Sequence, residues 1–198
     1  MDDLDFKADP MDGYRINLRA ATRAAWSGDF DYLDFWITVQ AAVRRAFTQA
    51  WLEGAKAYGI SEEELTPAER QWLEVEIAHE TSYISRFADA IEAGSKANGG
   101  KLTPLLQRTE LWVKGYERIR QLAKVYAGKD TKLVWKLNPA EHCPSCLKLA
   151  GKVKRASYWK DHGVLPKAWD KLQCRLGCKC SLEPTTDRAT PGPLPSLP

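Results

Sequence analysis

All five cysteines of this 198-residue chain lie between positions 143 and 180. Cys143-Pro-Ser-Cys146 is a C-x2-C pair, a turn that aims two thiolates at one ion with Zn–S distances of about 2.3 Å. Cys174-Arg-Leu-Gly-Cys178-Lys-Cys180 follows at a spacing that lets it fold back on the first turn. Zinc takes four ligands and the chain offers five thiols. The preferred set is Cys143, Cys146, Cys174 and Cys178, with Cys180 either spare or in place of Cys178. His142 and His162 are weaker candidates. Four thiolates close the coordination sphere and leave no place for a catalytic water, so the expected cofactor is a structural Zn²⁺. Segment 138–180 is rich in Lys and loop formers and poor in large aliphatic residues. Metal-binding free energy is therefore expected to supply its folding free energy.

A second chemistry lies in the charge. The chain holds 29 Lys+Arg against 26 Asp+Glu, a formal +3. Residues 1–100 carry 10 against 18, or −8, and residues 101–183 carry 18 against 7, or +11. Such asymmetry points to different partners for the two halves, and to nucleic acid for the basic one. Lys152, Lys154, Arg155, Lys160, Lys167, Lys171, Arg175 and Lys179 surround the cysteine loops, with Tyr158, Trp159 and Trp169 interleaved. Cations neutralise phosphates and aromatics stack on exposed bases. These residues are the candidate nucleic-acid surface. No motif indicates base-specific readout, and the competing reading is a basic face that meets an acidic protein, including the acidic half of another copy.

Long helices must position these groups. The spacing predicts helices over 14–26, 31–58, 66–95 and 103–127. Asp31 is a cap candidate, and Thr66-Pro67-Ala68-Glu69 is a capping box with Pro at the first helical position. Leu73, Ile77, Ile84, Phe87 and Ile91 form the stripe of the third helix; Leu105, Trp112, Ile119 and Tyr126 form that of the fourth. Trp36, Trp51, Trp72 and Trp112 are expected to be core or interface anchors. Lys132–Leu137 reads as a short strand, and Ser181-Leu182 as the start of another.

The expected fold is therefore mainly α: long helices of αα-hairpin character, then a small zinc-stapled α+β module with short strands. The expected divisions are a flexible acidic arm over 1–13, a long-helix domain over 14–100, a helix with the basic Cys-rich module over 101–183, and a Pro-rich tail over 184–198. No stretch is apolar enough to span a membrane. The acidic start, Met1-Asp-Asp-Leu-Asp5, does not read as a secretory signal, so a reducing compartment is expected. Enzyme motifs are absent: the sequence contains no G-x-S-x-G, P-loop, G-x-G-x-x-G or H-E-x-x-H. Glu76-Ile-Ala-His79 has E-x-x-H spacing but no second pair to complete a di-iron site. No catalytic residues are assigned.

Three features occur in order: Arg108-Thr109-Glu110-Leu111 on a helix, Trp135 in a strand, and Glu141-His-Cys-Pro-Ser-Cys146-Leu147 with Leu149-Ala-Gly-Lys-Val153, closing on Cys178-Lys-Cys180-Ser-Leu182. Over about residues 104–183 this resembles the C-terminal region of tailed-phage minor head, or head morphogenesis, proteins of the phage Mu F-like group. There the closing element is often His-Pro-x-Cys-Arg-Cys; here Cys174 stands near the place of that His and Lys179 in place of the Arg. The resemblance implies a non-enzymatic virion protein located in the phage head, and in host cytoplasm during assembly. Its implied partners are the portal or capsid protein and packaged DNA, in an oligomeric setting. The alternatives are a cellular zinc-ribbon nucleic-acid-binding protein and a phage-borne enzyme.

Overall fold

A computed structural model describes residues 9–168 and 170–197 of the chain. It is mainly helical, with one small three-stranded antiparallel sheet. Helix α1 spans Pro10–Ser27. The Asp9 carboxylate accepts the Met11 N–H at 3.0 Å, and Pro10 takes the first helical position, where its missing N–H costs nothing. Gly28 at φ 89° closes it with a left-handed cap. Part of the expected 1–13 arm is thus helical, because Asp9-Pro10 is a start signal; residues 1–8 lie outside those described.

Helix α2 is Tyr32–Lys56, with the Asp34 N–H held by the Asp31 carboxylate at 2.8 Å. Helix α3 is Pro67–Thr81. Its capping box forms as expected: the Glu69 N–H donates to Thr66 Oγ1 at 3.2 Å, and the Thr66 N–H donates to Glu69 Oε2 at 2.9 Å. Glu69 is buried, so its carboxylate relies on the Thr66 N–H and on the Thr66 hydroxyl, which donates to Oε2 at 2.6 Å. Thr66→Ala should cost about 1 kcal/mol, lowering the melting midpoint by roughly 2–4 °C. A midpoint unchanged in calorimetry would contradict that role for the cap.

The single helix expected over 66–95 is two. α3 ends at Thr81 and α4 runs Ile84–Ala93. At the break, Thr81 Oγ1 donates to the Ala78 carbonyl at 3.1 Å and Ser82 Oγ to the His79 carbonyl at 2.6 Å. These hydroxyls compete with the backbone for the same acceptors. The stripe survives the break, since Leu73, Ile77, Ile84, Phe87 and Ile91 are all buried. Helix α5 is Leu102–Ala127, starting just before Thr103-Pro104. Leu105, Trp112 and Ile119 of its stripe are buried. No described helix is long and apolar enough to cross a membrane.

Strands β1 (Lys132–Lys136), β2 (Val153–Arg155) and β3 (Ser181–Pro184) form the sheet in the order β2-β1-β3. Between them lie short helices α6 (Pro144–Leu149) and α7 (Ala156–Asp161), and a 3-10 turn over Arg175–Gly177. Leu133, Trp135, Leu149, Val153, Ala156, Trp159, Leu172 and Leu182 build a core for this module. Trp159 Nε1 donates to the Leu133 carbonyl at 3.2 Å. The Leu182 N–H donates to Gln121 Oε1 of α5 at 3.0 Å, and Lys124 Nζ reaches the Leu182 carbonyl and the Glu183 carboxylate.

Contacts divide the chain into two compact units. One holds the described residues up to Gln49 with Glu74–Val113; the other holds Ala50–Leu73 with Lys114 onwards. This differs from the division expected at Gly100, because the cuts fall inside α2, α3 and α5 and not in a linker. Counted along the sequence, positions 1–49 with 74–113 carry 10 Lys+Arg against 14 Asp+Glu, and positions 50–73 with 114–198 carry 19 against 12. The −8/+11 contrast thus softens to −4/+7, since acidic residues of the 50–73 stretch belong with the basic module.

Among the described residues the Pro-rich tail has no helix or strand from Thr185 on, yet it is tied down. The Thr190 N–H donates to the Val153 carbonyl at 2.9 Å, and the Val153 N–H to Thr190 Oγ1 at 3.0 Å. Lys154 Nζ donates to the carbonyls of Thr190 and Gly192, and Lys148 Nζ to that of Ser196. The tail thereby covers the outer edge of β2, which would otherwise present unpaired backbone groups. Lys154→Met should loosen the tail and speed its proteolysis without unfolding the sheet; equal cleavage rates for variant and parent would refute that assignment.

Candidate metal centre

The register of the sheet places the cysteines. Lys136, the last residue of β1, pairs with Ser181, the first of β3. The chain leaving β1 and the chain entering β3 therefore meet at one end of the sheet. Cys143 and Cys146 follow the first of these, at the start of α6, and Cys178 and Cys180 precede the second. Cys174 precedes the 3-10 turn, where Arg175 adopts φ 46°. That left-handed residue reverses the chain between Cys174 and Cys178. The Gln173 N–H donates to the buried Ser145 Oγ at 3.2 Å, joining this loop to α6.

All five thiols are free and fall into two groups, each with sulfurs within 4.8 Å of one another: Cys143, Cys146 and Cys174, and Cys146, Cys178 and Cys180. Cys146 belongs to both, with its Sγ 3.5 Å from that of Cys174 and 3.6 Å from that of Cys178. Four thiolates at about 2.3 Å from a tetrahedral ion lie about 3.8 Å apart, so these separations suit a metal site. The set Cys143, Cys146, Cys174 and Cys178 is brought together through Cys146. Cys180, expected to be spare or to stand in place of Cys178, is a member of the second group together with Cys178.

Without a cation the cluster favours thiolates at Cys178 and Cys143 only, while burial and the thiols beside it push Cys174 up. Hydrogen bonding from the Cys180 thiol holds Cys178 down at about 5, against its burial, and as the donor Cys180 is pushed up. At Cys143, burial is outweighed by hydrogen bonds from the Cys146 amide and the Cys174 thiol, bringing it to about 7. Burial and the neighbouring Cys178 push Cys146 up to about 12. A divalent cation relieves that crowding of sulfur charge.

His142 stands beside this cluster. Its Nε2 lies 2.8 Å from the Asn138 carbonyl and its Nδ1 3.5 Å from Cys180 Sγ. A carbonyl only accepts, so Nε2 carries the proton and Nδ1 the lone pair in the neutral ring. Asn138 in turn donates its side-chain N–H to the Lys179 carbonyl at 2.7 Å, bracing the C-x-C segment against the β1 exit. Neither histidine is in the two sulfur groups; His162 stacks on Tyr158 at 4.0 Å between centroids.

The candidate nucleic-acid residues separate into two kinds. Lys154 is 6% exposed and holds the tail, and Lys167 is 7% exposed with its ammonium on the Cys178 carbonyl at 2.7 Å. Both leave the predicted surface, since the Lys154 ammonium is held by the Thr190 and Gly192 carbonyls and the Lys167 ammonium by that of Cys178. Trp159 also leaves it, being fully buried in the module core. Arg155, Lys160, Lys171, Arg175 and Lys179 are exposed and Lys152 half-buried. Arg155 faces Asp130 at 3.4 Å, Lys171 faces Asp170 at 3.8 Å, and Lys160 sits over the Tyr126 ring. Trp169 lies outside the described residues. Of the anchors expected elsewhere, Trp51 and Trp112 are buried while Trp72 is 45% exposed.

The Arg108-Thr109-Glu110 stretch does its work inside the helical unit. Glu110 accepts from Arg15 at 3.2 Å and Arg19 at 3.4 Å, Thr109 Oγ1 bonds the Leu106 carbonyl, and Arg108 lies over Phe87. What the sequence reading missed was strand β2 and the bracing roles of Lys167 and Asn138. A three-residue strand has too few positions to show alternation. Compared with known protein families, curated proteins and solved structures, the chain matches none.

Proposed function

We propose that this protein is a non-enzymatic minor head protein of a tailed phage, acting at the portal or capsid interior in head morphogenesis and DNA delivery, with a structural Zn²⁺ in its C-terminal module. The observation that carries the reading is the ordered set of Arg108-Thr-Glu110, Trp135, Cys143-x2-Cys146 and Cys178-x-Cys180. Zinc is the metal favoured by an all-sulfur donor set. Ion pairing of Glu110 with α1 supports a structural use of that acid over a catalytic one. Particles made by a phage or prophage carrying this gene should contain the chain at a few copies each, detected by mass spectrometry of purified heads. Its absence from both heads and proheads would refute the assignment.

The exposed cations favour backbone-directed contact with packaged DNA. Binding should weaken with salt at a log–log slope no steeper than about −5, one phosphate for each of Arg155, Lys160, Lys171, Arg175 and Lys179. Arg175→Ala with Lys179→Ala should flatten that slope by about 2. A salt-independent affinity would remove the DNA role. Tight DNA binding by a protein that ignores portal and capsid would instead favour the cellular zinc-ribbon reading.

A further inference from the structure

The donor set is larger than one ion needs. Five sulfurs gather in two groups and the His142 imidazole stands outside both, with Nδ1 3.5 Å from Cys180 Sγ, whereas a tetrahedral ion uses four donors. The two sulfur groups do not merge into one; they meet only at Cys146, which lies 3.5–3.6 Å from a member of each. A thiolate sulfur has lone pairs enough to bind two ions at once. Cys180 is 4% exposed, so burial keeps it a neutral thiol until a cation displaces its proton, and only a second ion within reach makes it a ligand.

We propose that the centre takes two Zn²⁺ ions bridged by Cys146, one held by Cys143, Cys146 and Cys174, the other by Cys146, Cys178 and Cys180 with His142 Nδ1 as its fourth donor. The proposal rests on the structural-zinc reading above and extends it. Five thiolates with one Zn²⁺ sum to −3, and with two to −1, which the buried Lys167 ammonium on the Cys178 carbonyl offsets. Loading releases the thiol protons to solvent. The Asn138 carbonyl fixes the His142 tautomer with the lone pair toward Cys180, the arrangement common to ligating histidines. Cys143 and Cys174 are half-buried, so the fourth place of the first ion is open to water. The second ion is the enclosed one, since Cys146, Cys178 and Cys180 are all buried.

Metal analysis and native mass spectrometry of the full chain, loaded with zinc and desalted, should give two Zn²⁺ per chain. One Zn²⁺ per chain overturns the second ion while leaving a structural site; none overturns the structural-zinc reading as well. His142→Ala and Cys180→Ser should each carry one Zn²⁺ with helical circular dichroism unchanged, as should Cys174→Ser on the opposite side. Two ions retained in all three would overturn the ligand assignment. As a readout independent of counting, the chain loaded with ¹¹³Cd²⁺ should show two cadmium resonances split by coupling through the shared sulfur. Two unsplit resonances, or a single one, would exclude the bridge.

Discussion

Cys146→Ser should release the bound metal and unfold the sheet module, from Lys132 to Pro184, while most helical circular dichroism remains. Cys146 is the one thiol common to both sulfur groups, and its Sγ is within 3.6 Å of Cys174 and Cys178. Structural zinc supplies apparent binding energies of about 10 kcal/mol or more in small domains. The module does have its own core around Trp135 and Trp159, but the loops 137–143 and 173–180 have no regular sheet pairing to hold them. Chelation should mimic the substitution, with loss of amide protection confined to the module in hydrogen exchange. If chelation leaves both exchange and circular dichroism unchanged, the metal does not hold this region. Cys180→Ser should be milder, because Cys180 belongs to only one group.

The second large effect is expected far from the cysteines, at Gly54 in α2. A Cβ there would stand 2.3 Å from the Arg120 carbonyl oxygen and 2.7 Å from Ala123 Cβ of α5. The obstacle is backbone, so no side chain can swing away. Two terms oppose each other in Gly54→Ala. Helix propensity favours Ala by about 1 kcal/mol, whereas forcing the helices apart costs typically 1–3 kcal/mol. At 2.3 Å the steric term wins, and the net change should be destabilising. Gly54→Leu should be worse, by several kcal/mol, and should disturb the buried Trp51 that packs on Tyr126 at 5.6 Å. Denaturant unfolding followed by tryptophan fluorescence would measure both. A Gly54→Ala protein more stable than its parent would show that the contact relaxes freely.

Residue patterns determined the local structure here because caps and stripes are local chemistry. Asp31, the Thr66–Glu69 box and the Leu73–Ile91 stripe all act within a few residues of themselves. The break at Ser82 was not legible, because side-chain competition for a carbonyl depends on rotamers as well as on composition. The division of the chain was not legible either. A long amphipathic helix reads the same whether it serves one core or two, and α2, α3 and α5 each serve two.

The basic surface shows the limit most plainly. A Lys reads as a free cation in sequence, yet Lys154 and Lys167 are buried donors to carbonyls from distant segments. Their fate was set by where the tail and the Cys178 loop come to rest. By itself the sequence determined a mainly helical chain with a cysteine set suited to metal, since helical periodicity and C-x2-C spacing are properties of neighbours along the chain. The tertiary structure alone decided which sulfurs meet. That follows from the antiparallel register of Lys136 with Ser181, which brings residues some 40 apart in sequence to one end of a sheet. It also put Cys146 between two groups and His142 beside Cys180, a juxtaposition that no spacing along the chain encodes.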